Sequence, residues 1–111
     1  MKDFYDIWYL ARRFGFEGTA LTAAIAATFK RRETPLPDEV PQALTSTFAD
    51  DAGKRQQWTA FLRRTRLADE TLDLPAVIDT LRDFLLPPLD ACAREQAFEH
   101  TWRPGGPWRS A

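Results

Sequence analysis

The chain has 111 residues, 44% apolar, 28% charged and 13% aromatic, a composition of ordinary folded domains and not of disordered segments. That length allows one domain around one core, with an expected radius of gyration of roughly 13 Å, and excludes separate catalytic and binding domains. Fifteen basic and 16 acidic residues leave a net charge of -1, so no whole-molecule field draws the protein to nucleic acid or to a membrane; any such attraction has to be local.

The apolar residues Phe4, Ile7, Trp8, Ala11 and Phe14 recur at three- and four-residue intervals and predict a first helix with one buried stripe. Lys2, Asp6, Tyr9 and Arg13 fall on its other side. Gly15 predicts a left-handed cap at its end. A second helix is predicted from a cap at Thr19, with Leu21, Ile25 and Phe29 stacked along an alanine-rich segment and Lys30, Arg31 and Arg32 at its carbonyl end. Pro35, Pro37 and Pro41 make residues 34–49 a connector carrying at most short helical turns. Asp50 and Asp51 open a third helix whose buried side is Trp58, Phe61, Leu62 and Thr65, ending near Leu67.

Asp69, Glu70 and Asp73 precede Pro75, which suits a first helical turn, and Val77, Ile78, Leu81, Phe84 and Leu85 follow at the cleanest helical spacing in the chain. Pro87 and Pro88 predict a break, with a further helix over Leu89–Glu99 whose apolar side is Leu89, Cys92, Ala93 and Ala97. Residues 101–111, rich in Gly, Pro, Trp and Arg, read as a flexible tail after a helical domain at 1–100. No segment alternates apolar and polar residues, so the expected fold is all-α: about five helices in a compact orthogonal or bundle-like arrangement.

Chemistry-bearing residues are few. Cys92, the only cysteine, excludes an internal disulfide and a cysteine-based zinc site and favours a reducing, cytoplasmic setting. Two carboxylates among the first six residues do not suit a secretory signal, and the longest weakly polar stretch, Ala20 to Phe29, falls far short of the ~20 residues that span a bilayer. The lone His100, beside the expected tail, reads as an ordinary surface histidine, and no glycine loop of the phosphate-cradling kind is present. Asp3 and Asp6, three residues apart, share one side of a helix within reach of one cation, with Lys2 four residues before Asp6. The same carboxylates are also what a helix start favours without any ligand. Arg12 and Arg13, Lys30 to Arg32, and Arg63, Arg64 and Arg66 form three basic clusters, each at an expected helix end where cations are stabilised by the macrodipole alone. If the fold gathered them, they would bind several phosphates of an RNA. Residues 1–66 carry 11 basic and 8 acidic groups, and 67–111 carry 4 and 8, so the charge is divided along the chain.

The string from Lys2 to Phe16, opening Lys-Asp-Phe-Tyr-Asp, resembles a segment of the AbiEii/AbiGii nucleotidyltransferase toxins, the toxin halves of abortive-infection and toxin–antitoxin pairs. The resemblance continues through Thr28–Pro37, Trp58–Arg64 and Leu81–Leu89. It implies a helical region that follows a nucleotidyltransferase core, in which the core supplies a Gly-Ser turn, a metal-binding Asp-x-Asp pair and a lysine. The Lys-Asp dipeptide completes that site. Carried over residue by residue, the resemblance makes Asp3 the additional acidic active-site residue, Lys2 its neighbour and Asp6 the next polar group on that side. The family form would use Mg2+ and an NTP to modify an RNA, alongside a cognate antitoxin. Neither Gly-Ser nor Asp-x-Asp occurs in these 111 residues, so the chain is expected to be a truncated, catalytically incomplete portion. Two rivals stand beside that reading: a non-catalytic helical module that docks on a separate nucleotidyltransferase or antitoxin, and an unrelated small helical RNA-binding domain.

Overall fold

A computed structural model describes residues 1–37, 39–65 and 72–110. Five α-helices dominate: α1 (Lys2–Arg13), α2 (Gly18–Arg31), α3 (Ser46–Asp50), α4 (Ala52–Thr65) and α5 (Leu74–Ala93). A single 3-10 turn over Gln42–Leu44 and α3 are the short helical turns of the proline-rich connector. The radius of gyration is 14.6 Å.

The long helix α5 is the spine, and its local chemistry explains its start. Asp73 caps it by accepting from the Ala76 N–H at 2.9 Å, and Pro75 occupies the first turn, where a missing donor costs nothing. Leu74, Val77, Ile78, Leu81 and Phe84 are buried along one side. The first half of α5 packs with Tyr5, Leu44, Trp58, Phe61 and Leu62 in one cluster, and Phe84 packs with Ala11 and Trp102 in a second. Trp58 secures the α4 side by donating its indole N–H to the Leu72 carbonyl at 2.8 Å. Thr65, expected on the buried side of that helix, is exposed, and the predicted end near Leu67 lies outside the described residues.

Four local expectations are corrected. First, Pro87 and Pro88 do not break α5, which runs unbroken to Ala93; the separate helix over Leu89–Glu99 is absent, and Ala97 lies beyond the helix. Pro88 cannot donate to the Phe84 carbonyl, but the Trp108 indole N–H does so at 2.9 Å, filling the gap in the helical ladder. Second, residues 101–110 are no frayed tail. His100–Trp102 (β2) and Trp108–Ser110 (β3) form a hairpin that pairs with Phe16–Glu17 (β1) in an antiparallel sheet of order β1-β2-β3. The ordering comes from two indoles: Trp102 is 1% exposed, stacks obliquely on Phe84 and packs beside Trp108.

Third, α1 does not end on a glycine cap. Phe14 takes extended backbone and Gly15 stays out of the left-handed region. The Ala11 carbonyl near the helix end instead accepts from the Trp102 indole at 2.7 Å and the Gly105 N–H at 2.8 Å, so the hairpin does the capping. Fourth, α2 starts at Gly18 without a side-chain cap from Thr19. A β-carbon on Gly18 would lie 2.5 Å from both the Phe98 ring and its carbonyl, so only glycine lets the helix start press onto that strand entry.

Candidate functional site

The first turn of α1 carries Lys2, Asp3 and Asp6, all exposed. Their alternating neighbours explain that orientation. Phe4 packs on Phe48 of α3 with ring centroids 5.5 Å apart, and Tyr5 packs on Phe61 of α4 at 6.1 Å, so the helix start is pinned from behind by two aromatic contacts. At 100° per residue, burying positions 4, 5, 8 and 11 turns positions 2, 3, 6, 10 and 13 outward. Asp3, Asp6, Leu10 and Arg13 thus run down one exposed side, with Lys2 and Tyr9 beside them. The Lys2–Asp6 pair allowed by spacing does not form an ion pair; among the described residues the one such pair is Arg94 with Asp90 at 3.1 Å.

That side of α1 also carries apolar surface with no covering. Tyr9 is 39%, Leu10 43% and Phe14 52% exposed. The Arg13 guanidinium lies over the Tyr9 ring at 5.0 Å, and Arg12 lies over Trp8 at 5.7 Å. Carboxylates, an ammonium, guanidiniums and bare apolar side chains therefore share one helix face, the composition of a contact surface with a wet rim.

The three basic clusters are found at helix ends, as spacing predicts: Arg12 and Arg13 in the last turn of α1, Lys30 and Arg31 with the capping Arg32 at α2, and Arg63 and Arg64 in the last turn of α4. All seven are exposed, and Arg66 lies outside the described residues. Since α1 and α2 pack chiefly on α5, and α4 on α3 and α5, helix packing does not by itself draw the clusters together. One group escapes a reading of the sequence by clusters. Arg55, Gln56, Thr59, Ala60 and Arg63 line a shallow depression of about 330 Å3 on α4. The i, i+4, i+8 spacing of Arg55, Thr59 and Arg63 is the signal that points to it.

His100 is held in strand β2 and not beside a loose tail; its ring stacks on Phe98 at 4.6 Å, and its Nδ1 is buried without a hydrogen-bond partner among the described residues. Cys92 is half-buried, and its thiol donates to the Thr22 carbonyl at 3.3 Å. Burial pushes that thiol's pKa up, against a smaller opposing hydrogen bond at Ala26. Among the described residues no three His, Cys, Asp or Glu side chains cluster as a metal site. No described helix is long and apolar enough to cross a membrane.

The family model described as nucleotidyl transferase AbiEii toxin, type IV TA system, matches residues 1–95. The chain belongs to the AbiEii family. Membership makes it part of a toxin–antitoxin system with a cognate antitoxin. No curated protein and no solved structure matches the chain. The AbiEii match begins with the Lys2-Asp3 turn and ends two residues beyond α5. The hairpin that caps α1 and completes the α5 ladder lies outside it.

Proposed function

We propose that this chain is the helical portion of an AbiEii-type nucleotidyltransferase, and that the outer face of α1 completes an active site whose other walls belong to a nucleotidyltransferase core. The whole would transfer nucleotides from an NTP to an RNA acceptor. The observation that carries this reading is the first turn of α1: Lys2 and Asp3 stand in solvent on a helix anchored by Phe4 and Tyr5, beside the bare side chains of Tyr9, Leu10 and Phe14. A catalytic carboxylate has to be rigidly aimed and yet reachable, and that combination is what two aromatic anchors behind an exposed turn provide.

The chemistry divides between the two parts. Phosphoryl transfer needs metal ions bridging the phosphates and a group that positions the attacking hydroxyl; one carboxylate with one lysine cannot supply both. Magnesium, when bound by the core, would neutralise the triphosphate. On this chain, Asp3 would place a fixed negative charge at the edge of the pocket, Lys2 a positive one toward a phosphate, and Asp6 a second carboxylate one turn along. Purified free of other proteins, the chain should incorporate no labelled nucleotide. Joined to or mixed with the core, Asp3→Asn should lower transfer at least about 100-fold, within the range for one group active in the transition state, while the circular dichroism spectrum stays that of the parent. Unaltered transfer by Asp3→Asn withdraws the assignment.

The exposed Tyr9, Leu10 and Phe14 also favour a second reading, in which the chain is a separate, non-catalytic module that docks on a nucleotidyltransferase or antitoxin encoded apart from it. Translation of the DNA upstream of Met1 separates the two. An in-frame Gly-Ser and Asp-x-Asp segment supports a truncated reading of one polypeptide, and an intergenic gap supports the module.

A further inference from the structure

We infer that the solvent face of α4 is a nucleic-acid backbone site, with Arg55 and Arg63 as its phosphate-binding residues. The inference rests on the reading above only in taking RNA as the polyanion. Between Ala52 and Thr65 the chain carries Lys54, Arg55, Arg63 and Arg64 and no carboxylate. Trp58, Phe61 and Leu62 are buried, while Arg55, Gln56, Thr59, Ala60 and Arg63 are all exposed. These two arginines are eight residues apart, so their Cα atoms stand roughly 12 Å apart along the helix. The depression they share is lined also by Gln56, Thr59 and the small Ala60. The Thr59 hydroxyl already donates to the Arg55 carbonyl at 3.1 Å, which leaves Gln56 and the two guanidiniums as the outward donors. Among the described residues neither arginine is in an ion pair.

The other basic clusters are less suited. Arg12 and Arg13 lie over aromatic rings on a helix that also carries Asp3 and Asp6, and Lys30 to Arg32 run directly into Glu33. The composition of the α4 face also selects the class of partner. Protein interfaces are anchored by large apolar or aromatic side chains, and the lining of this depression contains none. Nor does it offer a ring for base stacking. Guanidinium forks and an amide with neither anchor nor stacking platform suit phosphates read without regard to sequence.

The test uses the 111-residue chain and a fluorescein-labelled RNA hairpin with a single-stranded end, followed by anisotropy from about 50 mM to about 200 mM salt. The parent chain should bind, more weakly as salt rises. Arg55→Ala/Arg63→Ala should bind at least about tenfold less tightly at the lowest salt, with a log–log salt slope shallower by about two, one for each guanidinium–phosphate pair removed. Arg55→Lys/Arg63→Lys should keep most of the slope. Arg103→Ala/Arg109→Ala, which removes the same charge from the hairpin, should bind like the parent. The inference is overturned if the parent does not bind, if the α4 double variant binds like the parent, or if the hairpin variant loses as much. Displacement by polyglutamate as efficient as by polyuridylate at equal charge also overturns it, in favour of an acidic protein. Nucleotide transfer by the reconstituted enzyme reads the α1 proposal and RNA anisotropy of the chain alone reads this one, so each can fail without the other.

Discussion

Trp108 is the residue on which the course of α5 turns. Consecutive prolines inside a helix leave carbonyls one turn earlier without donors, and Phe84, whose carbonyl loses the N–H of position 88, is a buried residue on the packed side. The indole at 108 supplies that donor and lays its ring parallel to Phe84, with centroids 5.9 Å apart. Trp108→Phe keeps an aromatic ring and removes the donor. It should cost about 1–3 kcal/mol, the range for stranding a buried acceptor, read as a lowered urea midpoint with an unchanged m value. A parent-like midpoint would mean that the Phe84 carbonyl finds water and that the prolines are tolerated without help. His100 shows the limit of sequence reasoning at this scale: it looks like a surface residue because its surroundings, Phe98 and the β3 strand, are set by a hairpin that no local pattern announces.

At the scale of elements, what can be read from the sequence is whatever local spacing decides. The buried side of α5 from Val77 to Phe84, the proline at its start and the exposed side of α1 with Lys2, Asp3 and Asp6 all follow from a 3.6-residue period and the chemistry of helix ends. What cannot be read is decided by partners far along the chain. The end of α1 is capped by an indole 91 residues away, so the task that spacing assigns to Gly15 is performed by Trp102. The Trp-Arg-Pro-Gly-Gly-Pro-Trp-Arg segment has the composition of a loop and becomes a hairpin because its two indoles have carbonyls to satisfy. Of the candidate site, the exposed Lys2, Asp3 and Asp6 are legible; Phe14, which spacing assigns to the buried stripe, is exposed because the helix ends before it, and the gathering of basic clusters cannot be read, since cations at helix ends look alike whether or not they meet. Phe84 joins these levels, touching Phe16, Trp102 and Trp108 from the spine. Phe84→Ala and Leu81→Ala should each cost about 2–5 kcal/mol in chemical denaturation, as emptied core positions do. The Phe84 change should also lower protection of the 100–110 amides from hydrogen exchange, while Leu81→Ala should not do so selectively. Equal loss of protection in both would show that the hairpin and the α4–α5 core melt as one unit.

For the whole molecule, the question is what its surface leaves uncovered. The protein is elongated, 40 × 28 × 23 Å, and its core is divided into one cluster around Trp58 and another around Trp102, with α1 spanning both. A helix that closes two clusters from one side has its other side free, and here that side carries Tyr9, Leu10 and Phe14 among charged groups. Scattered exposed apolar residues are normal, but three within six positions, following Lys2 and Asp3 along α1, mark the side on which the proposed core would sit. Leu10 makes the sharper probe, because its removal takes nothing from either buried cluster. Leu10→Asp should leave the stability of the chain within about 0.5 kcal/mol of the parent, as for surface positions generally. It should weaken association with the nucleotidyltransferase core at least about tenfold, the effect of placing an unpaired charge in a desolvated interface. Calorimetric titration of the chain into the core measures the second, and thermal unfolding of the chain alone measures the first. Parent-like association by Leu10→Asp would show that the core approaches from another side, leaving Asp3 without a pocket to complete.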